Sequence, residues 1–140
     1  MSSAPELRDR LGYLLKHAFM QLDDLVTAVL APHGINGREL GLLIHIGSHE
    51  PASQQQIAQR MQIDRTTMVA LLDTLEAKNL VARRPHTEDR RRNIVALTDH
   101  GHEILKLGKE ASAEAERRFL APLDAEAARQ LRAALQEIVE

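Results

Sequence analysis

The sequence predicts a mainly α-helical chain carrying one small β-hairpin. Three observations lead there. Apolar residues recur at threes and fours along most of the 140 positions. Two short helical stretches follow one another across a tight turn. One stretch, Val81 to Leu97, changes period and reads as two short strands around a polar turn.

The first helix runs from about Pro5 to Leu30. Leu7, Leu11, Leu14, Ala18, Leu22, Leu25 and Val29 form its apolar stripe, and Leu15, Phe19 and Val26 widen it beyond one seam. So broad a face near a terminus is expected to pack against a partner chain. Pro32 and Gly34 end the helix. Asn36 opens the second, with Glu39 three residues on as a capping-box pair. Leu40, Leu43, Ile44 and Gly47 lie on its inner side, and Glu50-Pro51-Ala52 closes it. Ser53-Gln54-Gln55-Gln56 makes a second capping box and starts a short third helix, with Ile57, Ala58 and Met61 inward.

Asp64 caps the fourth helix. Met68, Leu71, Leu72 and Leu75 are its inner set, while Arg65, Thr66, Thr67, Ala70, Asp73 and Thr74 look outward. Asn79 suits the left-handed conformation that ends a helix. The third and fourth helices together form a helix-turn-helix. Val81-Ala82-Arg83-Arg84 and Asn93-Ile94-Val95-Ala96-Leu97 are the strands of a hairpin, the wing, with Pro85 to Arg92 as its basic tip. Thr98 and Asp99 start a long fifth helix, Pro122 stops it, and Asp124 caps a sixth carrying Ala128, Leu131, Leu135 and Ile138. The expected architecture is a winged helix-turn-helix over residues 36–98. A helical dimerisation region from 5–34 and 99–140 completes one unit of residues 1–140.

Composition narrows the function. No apolar run approaches twenty residues, so no membrane span is expected. Met1-Ser2-Ser3-Ala4-Pro5 lacks the charged start and apolar stretch of a secretory signal, and a cytoplasmic location is the expectation. The absence of cysteine removes disulfides, thiolate metal sites and thiol redox sensing. A net charge of −2 argues against nucleic acid only until its placement is considered. Residues 53–98 hold eight Lys and Arg against five Asp and Glu, and five of those arginines lie between Arg83 and Arg92. Phosphate contacts are local and salt screens distant charge, so a basic patch on an acidic body can still grip DNA. Three aromatic residues, Tyr13, Phe19 and Phe119, are too few for a single-strand stacking surface.

The stretch Asp89-Arg90-Arg91-Arg92-Asn93-Ile94-Val95-Ala96-Leu97-Thr98-Asp99-His100-Gly101 resembles the wing-to-helix signature of the MarR family of bacterial transcriptional regulators. Leu75 to Arg83 resembles the family's exit from the recognition helix, with Asn79 where the family usually has Gly. Val69-Ala70 stands where members often carry a polar pair. The resemblance covers nearly the whole chain. It implies a dimer built by the first, fifth and sixth helices, and a small-ligand pocket beside the DNA-binding region.

The candidate DNA-binding residues are Ser53, Gln54 and Gln55 on the supporting helix and Arg65, Thr66 and Thr67 in the first turn of the recognition helix. Arg83, Arg84, Arg90, Arg91 and Arg92 come from the wing. A helix N-terminus favours phosphate, and hydroxyl or guanidinium groups there reach base edges in the major groove. Clustered wing arginines repel one another unless a polyanion meets them, and Arg90 is placed to reach the minor groove. The partner is then a double-stranded, pseudo-palindromic operator spanned by a homodimer. A small aromatic or anionic effector is expected near Tyr13, His17, Met20 and His45. No cofactor is expected.

Other readings are thinner. An enzyme would need a nucleophile with its base, paired carboxylates or a phosphate loop, and none is apparent. A metal-responsive, zinc-type regulator would use histidines. His45 and His49 share a helical face, but no His-Glu-x-x-His pattern or thiolate accompanies them. A helix-turn-helix serving protein contacts alone would show no salt-dependent binding to DNA.

Overall fold

The computed structural model describes residues 5–49, 52–85, 88 and 93–140. Helices α1 (Pro5–Arg8) and α2 (Leu11–Leu30) lead into a 3-10 turn, Ala31–His33. Then come α3 (Gly37–Ser48), β1 (Ala52–Ser53), α4 (Gln54–Met61) and α5 (Arg65–Ala77). Strands β2 (Val81–Pro85) and β3 (Asn93–Leu97) precede α6 (Asp99–Phe119) and α7 (Ala125–Val139).

Two sequence expectations need correction. The first helix is not continuous: it breaks at Asp9 and Arg10, where Arg10 N–H donates to Leu7 O at 3.1 Å. Asp competes for backbone hydrogen bonds and suits helix ends better than interiors. The hairpin is not alone either. Ala52 and Ser53 add a third antiparallel strand, in the order β1-β3-β2, with Ala52 opposite Val95 and Ser53 opposite Ile94. Two residues carry no periodicity, so this strand was invisible beforehand. The hairpin register runs from Val81 opposite Leu97 to Pro85 opposite Asn93.

The chain forms two compact units: one of the residues up to Val29 with Ala111–Glu140, the other of Leu30–Glu110. In the second, Leu42, Leu43 and Ile46 of α3, Ile57 of α4, Met68, Leu72 and Leu75 of α5 and Val95 of β3 are fully buried. At about 1.5–3 kcal/mol for each such side chain, this core fixes α4 and α5 against the sheet.

Polar pins reinforce it. Asn36 and Glu39 form the expected capping box, with Glu39 N donating to Asn36 Oδ1 at 2.8 Å and Asn36 N to Glu39 Oε1 at 2.9 Å. Glu39 is itself buried, and its second oxygen accepts from Lys78 Nζ at 2.8 Å; the same ammonium donates to Gly34 O. The end of α5 is thereby tied to the start of α3. Asn79 follows at φ 61°, the left-handed turn expected of it, which Asn tolerates in place of Gly. Thr98 then joins this turn to α6: its hydroxyl donates to Asn79 O at 2.7 Å and accepts from Gly101 N at 2.9 Å. A Cβ on Gly101 would lie 2.0 Å from Leu80 O, so no larger residue fits that crossing.

Candidate nucleic-acid interface

Helix α4 begins at Ser53, whose Oγ accepts from Gln56 N at 3.5 Å, and stops at Gln62 with φ 55°. The chain turns and restarts at Asp64. Its carboxylate accepts from Thr67 N at 2.7 Å and from Thr67 Oγ1 at 2.8 Å. These bonds, the backbone one foremost, hold Asp64 below the usual carboxylate range. The Thr67 hydroxyl proton is therefore committed to the cap, whereas Arg65 and Thr66 stand exposed at the open end of α5.

A groove of about 450 Å3 gathers Ser53, Gln54, Gln55 and Arg65, four of the residues expected to touch DNA. Gln59, Gln62 and Asn93 join them, none of which had been singled out. Gln59 had a signal, since it lies one turn beyond Gln55 on the same face of α4. Asn93 had none, because only the pairing of β3 brings it there. Gln54 Oε1 is buried in this region without a hydrogen-bond partner.

The wing arginines separate. Arg90, Arg91 and Arg92 lie outside the described residues. Arg84 is exposed on β2. Arg83 is not open: its guanidinium bonds to Asp73 and, at 3.0 Å, to Glu76, both on α5. The hydrogen bond from Arg83 holds the Glu76 carboxyl low, and the reciprocal bond raises the guanidinium.

The effector candidates separate as well. Tyr13 and His17 meet, with ring centroids 4.2 Å apart. They line a groove of about 580 Å3 within the first unit, together with Leu14, Gln21, Phe119 and Leu123. Met20 is exposed and outside this lining, and His45 belongs to the second unit, half-buried on α3. Among the described residues, no three His, Asp or Glu side chains cluster as a metal site.

Comparison with known proteins bears on the family. A family model described as the MarR family matches residues 33–92. A Thauera aromatica protein named for regulation of the hcr operon is 31% identical over 121 residues, 83% of this chain and 71% of that protein. The chain belongs to the MarR family. The Bacillus subtilis HTH-type transcriptional repressor MdtR is another relative, 30% identical over 101 residues, covering 72% of this chain and 65% of MdtR. The repressor CouR, solved bound to a 23-mer DNA duplex, superimposes with a TM-score of 0.92 at 29% identity, over 100% of this chain and 99% of CouR. CouR from Rhodococcus jostii bound to p-coumaroyl-CoA superimposes with a TM-score of 0.80, over 98% and 95%. MdtR and CouR are both named as transcriptional repressors. Among the described residues, no helix is long and apolar enough to cross a membrane.

Proposed function

We propose that this MarR-family chain is a cytoplasmic, non-enzymatic homodimer that binds double-stranded operator DNA and represses transcription until a small effector releases it. One observation carries the reading. The inner face of α5 is locked into a closed core, while its capped N-terminal turn presents Arg65 and Thr66 to solvent beside the α4 groove. That is the arrangement of a helix that inserts into a major groove. CouR on its duplex supports the same assignment. In a dimer, two such helices would enter successive major grooves of a pseudo-palindrome, about one helical turn apart.

The effector class follows from the groove at Tyr13 and His17. Two rings in tilted contact, apolar walls and a basic edge at Arg8 suit an aromatic anion. CouR's aromatic acyl-CoA ligand supports that class.

The test selects bound duplexes from genomic DNA with the purified protein, then titrates the winning site at several salt concentrations. Affinity should fall steeply with salt, with a slope of about −0.9 for each phosphate neutralised. Aromatic carboxylates and their CoA thioesters should release the duplex, and His17→Ala should blunt that release. A protein that selects no sequence is not an operator-binding repressor. Release unchanged in His17→Ala places the effector elsewhere.

A further inference from the structure

The recognition helix carries the wrong charge for its task. Arg65–Ala77 contains one arginine against Asp73 and Glu76, so α5 alone is net negative. Both acids sit on the DNA-facing side. Asp73 is seven residues, or two turns, beyond Thr66, and Glu76 is eleven beyond Arg65, so each shares a stripe with a residue of the exposed first turn. Like charge facing phosphate is costly wherever water is displaced.

Arg83 answers both. Its neighbours in β2 explain why it points there: Val81 is buried and Arg84 is exposed, and strand alternation puts Arg83 on the inner side with Val81. The guanidinium bonds to Asp73 and to Glu76 at 3.0 Å. Its side chain is only 18% exposed, against 58% and 46% for the two carboxylates. A planar fork with several donors suits two acceptors at once, which a lysine ammonium could not match in geometry.

We propose that Arg83 is a positioning residue and not a DNA ligand: it docks the first wing strand on the recognition helix and cancels the two carboxylates that share its DNA-facing side. The distinction matters because an arginine that grips phosphate must release its acids to do so. Arg83 keeps them. Basic residues farther along the chain, Arg84 among them, are then left to meet the backbone from a wing held at a fixed angle.

This inference rests on the DNA-binding reading, and a mutant cycle on the selected duplex separates the two. Arg83→Met should weaken binding at least tenfold in the wild-type background. It should cost less than threefold when Asp73→Asn and Glu76→Gln are already present, because nothing then remains to neutralise. The triple variant should keep the wild-type salt slope. An equal cost in both backgrounds, or a slope lowered by about one in the triple variant, makes Arg83 a phosphate ligand and overturns the proposal. A second measurement needs no variant. Arginine side-chain NMR of the wild-type protein should show the Arg83 guanidinium signals unmoved when duplex is added, and a shift on binding overturns the proposal equally. Wild-type protein that selects no duplex instead overturns the DNA reading itself, a result visible before the cycle begins.

Discussion

The two units differ in how far each completes its own core. In Leu30–Glu110 the inner faces of three helices and a sheet close on one another, leaving Ile44 as the one large apolar side chain exposed among the described residues. In the unit formed by the two ends of the chain the balance is reversed. Ala115 is its sole buried apolar residue among those described, while Leu11, Leu15, Phe19, Leu131, Leu135 and Ile138 are open. Leaving a side chain of that size in water forfeits about 1.5–3 kcal/mol, and apolar patches beyond a few hundred Å2 mark interaction surfaces. The lesson is a division of labour. On the proposed function, the closed unit holds its polar face toward DNA, and the open one leaves an apolar face for a second copy to cover.

The largest expected effect attacks the open unit. Leu131→Asp with Leu135→Asp places two charges on the apolar side of α7, which spans Ala125–Val139. Sedimentation should show a dimer for the wild type and a monomer for this variant, and cooperative binding to a two-half-site operator should disappear. Binding to a single half-site should persist weakly, since the closed unit is untouched. A variant that remains a well-folded dimer would remove α7 from the interface and break the division just drawn.

A smaller but still severe effect is expected inside the closed unit. Gly101→Ala drives a Cβ to 2.0 Å from the Leu80 carbonyl oxygen, a backbone atom that cannot swing aside. The loss should reach or exceed the roughly 1–3 kcal/mol typical of overpacking. Thermal unfolding should register it, whereas the dimer contacts of any folded fraction should be unaltered. Wild-type stability in this variant would mean that α6 moves freely on Leu80, and that the closed unit is looser than its burial indicates.

This difference also governs what the sequence made legible. Helix existence, the caps at Asn36, Asp64 and Asp124, and the left-handed Asn79 all follow from local chemistry, and all are present. The helix-turn-helix followed in the same way, because periodicity and capping are properties of contiguous residues. What escaped was set by pairing across the chain. Strand β1 exists only because Ala52 and Ser53 meet β3, and Asn93 enters the α4 groove for the same reason. Arg83 is the sharpest case. Counted by composition it belongs with the basic wing; the structure puts it on the inner side with buried Val81, and the acids that hold it are seven and ten residues away. The groove at Tyr13 and His17 was half legible: helical spacing can bring Tyr13, His17 and Met20 onto one side, but Leu14 and Gln21 are in the lining and Met20 is not.

The smallest expected effect tests whether the closed unit is closed on every side. Gly41 lies in the middle of α3, Gly37–Ser48, and a Cβ there would meet nothing within 4 Å. Its backbone is an ordinary helical one, since Gly34 is the glycine with positive φ. Glycine at such a position costs about 0.5–1 kcal/mol relative to alanine, because the unfolded chain loses more freedom on folding. Gly41→Ala should therefore raise the melting temperature by a few degrees and leave DNA affinity unchanged. The contrast with Gly101 is the point: two glycines in the same unit, with opposite signs, decided by what a single methyl group would touch. A loss of stability at position 41 would mean that another surface, from the assembled dimer, lies against α3. In that case the closed unit also shares in assembly.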